Sequence, residues 1–150
     1  MPLAVILGLG LLAGCGGGDD KKSGSNASSA KAKYEREFAA ALVPARSAAT
    51  VVNRVNSRSS PESAAKAFDQ VSAIYRQISA NVRAIKPPKD IARIHDQIGA
   101  VLARISTDTG KVGAAFHKRD AFARTVALND YRAQQSKLQS LGRQLTARGY

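Results

Sequence analysis

From Tyr34 to the end of the chain, apolar residues recur at three- and four-residue intervals, and this spacing is the strongest constraint on the fold. Residues spaced in this way lie on one face of an α-helix, so each such segment predicts an amphipathic helix with one buried face. No stretch shows the period-two alternation that indicates a β-strand. The sequence therefore predicts an all-α protein.

The first helix is predicted over residues 31–57, with Pro44 inside it. Proline removes a backbone hydrogen bond and crowds the preceding turn, so we expect a kink near residues 40–44. A helix that restarts with Pro44 in its first turn is the alternative. The predicted buried face consists of Tyr34, Phe38, Leu42, Ala45, Ala49 and Val52.

Proline and acidic residues mark the starts of the next two helices. Ser60-Pro61-Glu62 supplies a hydroxyl cap, a proline in the first turn and an acid at the positive end of the helix dipole. This second helix should stop at Lys86, because Pro87 disfavours helical geometry in the residue before it. Pro88 and Asp90 repeat the start signal. The predicted buried faces are Ala64, Ala67, Phe68, Val71, Ile74, Tyr75, Ile78, Val82 and Ile85, then Ile91, Ile94, His95, Ile98, Val101, Leu102, Ile105, Val112 and Phe116.

The turn before the fourth helix is predicted at His117–Asp120, with Asp120 as the cap. A break at residues 110–113 is the alternative, because Gly110 and Gly113 each weaken a helix by about 1 kcal/mol relative to alanine. The predicted buried face of the fourth helix is Phe122, Val126, Ala133, Leu138, Leu141 and Leu145. Four long helices joined by short turns predict an antiparallel up-down four-helix bundle.

The first 33 residues differ in character from the rest. An apolar run over residues 3–13 ends in Leu12-Ala13-Gly14-Cys15, and Gly, Ser, Asn, Ala, Asp and Lys follow to about Lys33. The apolar run covers only about half of the roughly 30 Å of hydrocarbon in a bilayer, so a transmembrane anchor is disfavoured. The polar segment lacks large apolar residues and is predicted to be a disordered, flexible tether.

The Leu12-Ala13-Gly14-Cys15 motif resembles the bacterial lipobox. The resemblance implies that a lipoprotein signal peptidase recognises Leu12, Ala13 and Gly14 and removes residues 1–14, and that Cys15 carries lipid such as palmitate. The chain would then comprise a signal peptide (1–14), an acylated cysteine with its tether (15–33) and a bundle domain (34–150), anchored at the extracytoplasmic face of the cell membrane. An ordinary cleaved secretory signal is the alternative.

A looser resemblance covers the whole chain. The lipobox, the polar tether and a helical domain in which Pro87-Pro88 precedes His95 resemble the small helical lipoproteins of high-GC Gram-positive bacteria. That resemblance implies no particular activity, and the lipobox residues alone can be assigned a role from it.

Residues that could carry chemistry are few. Cys15 is the only cysteine, so no disulfide can form within the chain. The three glutamates lie at helix beginnings and not in the Glu-x-x-His pairs that build metal sites in bundles. His95 and His117 are separated by about 33 Å along one predicted helix and cannot share a metal within one subunit. We therefore predict no metal site, no catalytic residues and no cofactor.

His95 falls on the predicted apolar face of the third helix, where it could line a pocket or transfer protons, with Asp90 or Asp96 nearby. A partly buried, hydrogen-bonded histidine near a helix start is the commoner case. No Walker loop, dinucleotide glycine motif or Gly-x-Ser-x-Gly turn is present. The sequence favours a binding, scaffold or envelope-structural role. A small enzyme, or a metal- or ligand-binding bundle that uses His95, is the alternative.

The chain is strongly basic, with a formal net charge of +12. A basic domain predicts acidic partners, which outside the cytoplasm are phospholipid headgroups and anionic envelope polymers. Lysine and arginine do not alternate with aromatic residues as a nucleic-acid stacking surface requires, so nucleic acid is not an expected partner. Solvated helix faces that keep the protein soluble are the alternative explanation.

Overall fold

The computed structural model describes residues 25–150, and all regular structure in this range is helical. Five helices follow one another along the chain: α1 (Ser25–Leu42), α2 (Ala45–Arg54), α3 (Pro61–Ala84), α4 (Ala92–His117) and α5 (Ala121–Ala147). α1 and α2 together occupy the place of the first long helix and pack on α3, α3 packs on α4, and α4 packs on α5. The predicted all-α, antiparallel up-down four-helix bundle is confirmed.

The predictions for the N-terminal segment concern mostly residues outside this range. Leu12, Ala13, Gly14 and Cys15 lie outside the described residues, as does the first part of the predicted tether. α1 begins at Ser25 and not near residue 31, so its first turns belong to the segment that we predicted to be disordered. The alanines and lysines of this segment favour helix, and the Lys31 ammonium lies 5.1 Å from the centre of the Tyr150 ring.

Pro44 divides the first helix. α1 ends at Leu42, and α2 begins at Ala45 with Pro44 at its N-cap. A single kinked helix over residues 31–57 is therefore wrong, and the alternative of a restart at Pro44 describes the chain better. The physical reason is that proline has no N–H to donate to a preceding turn, whereas the start of a helix needs no such donor. The Pro44 carbonyl accepts hydrogen bonds from the amides of Ser47 and Ala48.

α3 and α5 begin where their capping residues predict. The Ser60 hydroxyl accepts a hydrogen bond from the Ser63 amide at 3.1 Å, and the Asp120 carboxylate accepts one from the Ala123 amide at 2.9 Å. α4 runs without interruption to His117, so the predicted turn at residues 117–120 is confirmed and a break at residues 110–113 does not occur.

The start of α4 lies later than predicted. Pro88 and Asp90 belong to the turn before the helix, and Ile91 is the N-cap. Ile91 is fully buried, which fixes this apolar side chain in the core immediately before the helix begins. The Asp90 carboxylate accepts a hydrogen bond from the Tyr150 hydroxyl at 3.2 Å instead of capping the helix. α3 ends at Ala84, two positions before Lys86, with Ile85 as its C-cap.

The hydrophobic core runs along the bundle and draws on all of its helices. Its largest fully buried side chains are aliphatic and come from the predicted faces of the second and third helices: Ile78, Ile91, Ile98, Leu102 and Ile105. A smaller cluster near the α4–α5 turn contains Phe68, whose ring stacks on that of Phe116 with the centroids 5.7 Å apart. Most residues of the predicted faces of the first three helices lie in or against the core.

The predicted buried face of α5 is wrong in its first half. Phe122 is 81% exposed and Val126 is 44% exposed, and Ala133 is also exposed. The side chains of α5 that the bundle buries are Ala127, Tyr131, Leu141 and Leu145, with Leu138 packed at the edge. The buried face of α5 differs from the predicted face because it includes Tyr131 and the partly buried Gln134. A pattern of apolar residues does not include these two, since both carry polar groups.

α3 and α4 meet along what we call the small-residue seam, in which small residues recur every seven positions: Ala65, Ser72 and Ser79 on α3, and Gly99, Ser106 and Gly113 on α4. The Ser72 and Ser106 hydroxyls each donate a hydrogen bond to the other residue's backbone carbonyl at 2.8 Å. The Ser79 hydroxyl donates to the Gly99 carbonyl at 2.9 Å. Because the side chains at the contact set the distance between two helices, this seam brings the two backbones close together.

Candidate functional site

His95 lies in the interior of the bundle and not at a cleft. It is 2% exposed, and its Nδ1 atom lies 3.2 Å from the hydroxyl of Tyr34, which is equally buried. The Tyr34 ring stacks on Phe38 and meets the edge of Tyr150, with centroids 5.5 and 5.7 Å apart. His95 therefore joins α4 to α1 at the end of the bundle where the C-terminal residues also lie.

Burial determines the protonation states of His95 and Tyr34. Desolvation lowers the pKa of His95, although the charge of Asp96 and a hydrogen bond to the Val82 backbone act in the opposite direction. Burial, with a smaller contribution from Tyr150, raises the pKa of Tyr34 to about 12. Tyr34 therefore keeps its proton and can donate it in a hydrogen bond to the neutral imidazole.

The arrangement around His95 is that of a structural histidine. Among the described residues, the hydrogen-bonding side chain at its ring is Tyr34, and neither Asp90 nor Asp96 bonds to the imidazole. His95 lines neither the cleft between α3 and α4 nor the cleft near the α4–α5 turn.

A cleft of about 550 Å³ lies between α3 and α4 on the outer side of the small-residue seam. This volume falls within the range of small-molecule sites. Its lining comes from both helices: Ser72, Arg76, Ser79, Ala80 and Arg83 from α3, and Ala103, Ser106, Thr107 and Gly110 from α4. We call it the α3–α4 cleft.

The floor of the α3–α4 cleft has no spare hydroxyl donors. The Ser72, Ser79 and Ser106 hydroxyls donate across the seam, and Thr107 donates to the carbonyl of Ala103 at 3.2 Å. The remaining lining is alanine and glycine, which offers apolar surface. Donors for a ligand must therefore come from the two arginines.

Arg76 and Arg83 stand two helical turns apart on α3, so their Cα atoms are separated by about 10.5 Å. In the part of the chain that the structure describes, neither guanidinium has a carboxylate within 4.0 Å. Gly99 leaves room for the stem of Arg83 on α4, because a Cβ atom there would lie 2.9 Å from the Arg83 Cγ and 3.4 Å from its Nε. The cleft thus carries two positive charges without a neutralising acid.

A smaller cleft of about 330 Å³ lies at the opposite end of the bundle, near the α4–α5 turn, with His117 and Glu62 in its lining. His117 Nε2 lies 3.1 Å from an oxygen of Asp69, which approaches α4 over Gly113. Both side chains of this pair are about half exposed, and exposed ion pairs contribute little to stability.

The α3–α4 cleft was not predicted, because Arg76 and Arg83 are not part of the predicted buried face of the second helix. A signal was present in the seven-residue repeat of Ser72 and Ser79, and of Gly99, Ser106 and Gly113. Such a repeat indicates a close helix contact, and the arginines that flank it on α3 lie at the edge of that contact.

In residues 25–150, no three side chains of His, Cys, Asp or Glu are grouped so that they could hold a metal ion. No helix in that range has the length and apolar character needed to cross a bilayer. The chain matches no family model, no curated protein and no solved structure.

Proposed function

We propose that this protein is an extracytoplasmic, lipid-anchored helical domain that binds anionic components of the cell envelope. The observation that carries the binding role is the α3–α4 cleft, where Arg76 and Arg83 lack acidic partners among the described residues. The anchoring role rests on the lipobox-like motif that ends in Cys15.

The net charge supports an anionic partner. The formal charge of +12 is large for 150 residues, and an excess of positive charge attracts acidic surfaces over roughly a Debye length. At the membrane, two or three acyl chains would hold the protein far more tightly than one, since each buried methylene contributes about 0.8 kcal/mol. Anchoring would keep the basic domain concentrated beside headgroups and envelope polymers.

The buried position of His95 favours binding over an enzymatic role for this residue. A general acid or base must come within hydrogen-bond reach of its substrate. His95 is covered by Tyr34 and Phe38, and Tyr34 already occupies its Nδ1 atom.

Membrane fractionation of cells that express Cys15→Ala tests the anchor. We expect the full-length protein in the membrane fraction and labelled by a palmitate analogue, and the variant unlabelled and released. Gly18→Ala, a change three positions away, is the matched control and should behave as the unaltered protein. An unlabelled parent protein, or a variant that remains in the membrane fraction at high salt, would contradict the proposal.

A further inference from the structure

We infer that the α3–α4 cleft is a binding site for a phosphate ester, held by the guanidinium groups of Arg76 and Arg83. This inference deepens the proposed function, because it names the ligand class of the binding role. It does not depend on the lipid anchor, so the two can fail separately.

The argument for an anion begins with the two arginines. Guanidinium groups bind phosphate oxygens through paired hydrogen bonds, and each offers five donors in a fixed planar arrangement. In the described chain, Lys33, Lys66 and Lys111 have an acidic partner, whereas no arginine has a carboxylate within 4.0 Å. The charge of Arg76 and Arg83 is therefore available, and what distinguishes these two arginines from the others is that both line the same cleft.

The stem of Arg83 lies against α4. Its stem lies against Gly99, where any side chain would collide with the Cγ atom. A long side chain that rests on the backbone of another helix loses less conformational freedom on binding than one that extends into solvent. Gly99 therefore matters for the site although it cannot bind a ligand through a side chain.

The lining between the arginines favours an ester over a bare ion. Ala80 and Ala103 present methyl groups, and the hydroxyls of the seam are engaged with backbone carbonyls. An organic group can rest on this apolar floor, while the phosphate takes its hydrogen bonds from the arginines. Two guanidinium charges also match the charge of a phosphate monoester, which is close to −2 at neutral pH.

The test uses the full-length chain carrying Cys15→Ala, so that no lipid contributes to the readout. The arginine side-chain N–H signals are followed by NMR during titration with glycerol 1-phosphate, inorganic phosphate and succinate. We expect the signals of Arg76 and Arg83 to shift, with glycerol 1-phosphate binding more tightly than inorganic phosphate or succinate. Co-sedimentation with phosphatidylglycerol vesicles and with uncharged phosphatidylcholine vesicles distinguishes a lipid headgroup from a free ester as the source of the phosphate.

Three variants locate the site. Arg76→Gln and Arg83→Gln should each weaken glycerol 1-phosphate binding by about tenfold or more, because each removes charge-assisted hydrogen bonds. Arg104→Gln removes the same charge from the exposed part of α4 outside the cleft, and should leave the affinity within about twofold. Gly99→Ala keeps both arginines but displaces Arg83, so it should weaken binding while circular dichroism shows an unchanged helix content.

Several outcomes would overturn the inference. If Arg104→Gln weakened binding as much as the cleft variants, the protein's general charge and not the cleft would attract the ligand. Equal affinity for succinate would indicate a carboxylate site instead. Unchanged binding in both Arg76→Gln and Arg83→Gln would show that the ester binds elsewhere or not at all.

Discussion

α4 and α5 are nearly equal in length, with 26 and 27 residues, but the bundle buries them very differently. Thirteen residues of α4 are buried, against four of α5. α4 lies between two helices, contacting α3 through the small-residue seam and α5 on its other side, whereas the main contact of α5 is with α4 alone. Position in the bundle, more than helix length, therefore determines how many residues of a helix are buried.

The inward face of α5 carries polar groups beside its apolar side chains. The Gln135 side chain donates a hydrogen bond to the Tyr131 hydroxyl, and burial raises the pKa of both Tyr131 and Tyr75. The side-chain oxygen of Gln134 is buried and has no hydrogen-bond partner among the described residues. α5 is therefore held partly by amphipathic side chains, while Phe122 and Val126 remain on its outer surface.

The largest expected difference in stability comes from shortening one aliphatic side chain on α4 and one on α5. Ile105→Ala on α4 removes a fully buried side chain and should lower the free energy of unfolding by about 2–5 kcal/mol. Leu138→Ala on α5 removes a partly buried one and should cost roughly 1 kcal/mol. Urea unfolding followed by circular dichroism measures both. Equal losses would show that α5 contributes as much to the core as α4.

A smaller effect, of opposite sign, is expected from Gln134→Leu. The substitution removes a buried, unpartnered oxygen and adds apolar volume next to Leu138, so the free energy of unfolding should rise by about 1–3 kcal/mol. Gln139→Leu makes the same chemical change at an exposed position of α5 and should alter stability by less than about 0.5 kcal/mol. If the two variants changed the free energy of unfolding by the same amount, Gln134 would not lie on the inward face of α5.

The same contrast explains how far the sequence could predict the fold. On α3 and α4 the largest fully buried side chains are nearly all aliphatic, so hydrophobic spacing identified residues such as Ile78 and Ile105 correctly. On α5 the strongest apolar residues of the first half, Phe122 and Val126, are exposed, while Tyr131 is buried. A spacing rule ranks residues by hydrophobicity and not by the partner that each side chain meets, so on α5 it selected Phe122 and Val126 in place of Tyr131.

The candidate site was harder to predict than the fold, for a different reason. His95 was singled out as a rare titratable residue on an apolar face, but its burial beside Tyr34 shows that the apolar face determined its environment. Arg76 and Arg83 are ordinary residues in a basic sequence, and only their shared place in the lining of the α3–α4 cleft distinguishes them. The seven-residue repeat of small residues on each helix indicates a close contact, but it does not tell which residues of the other helix lie opposite.

The smallest expected effect is a pH dependence of the free energy of unfolding that originates in His95 on α4. Burial lowers the pKa of His95 in the folded protein below its ordinary value of about 6.5. As the pH falls below that value, the unfolded chain binds more protons than the folded one, so the free energy of unfolding decreases; above it, the full stability is present. The Asp96 charge and the Val82 backbone offset part of this shift, so we expect a shallow slope between pH 7.5 and pH 5.5.

Urea unfolding at these two pH values measures the slope, and a histidine variant assigns it. His95→Gln should flatten the dependence, because it removes the group that must stay neutral when buried. If the slope were unchanged in His95→Gln, or if His95 titrated above pH 6.5 by NMR, α4 would be more open to water near Tyr34 than its burial indicates. The contrast with α5 would then be weaker at that end of the bundle.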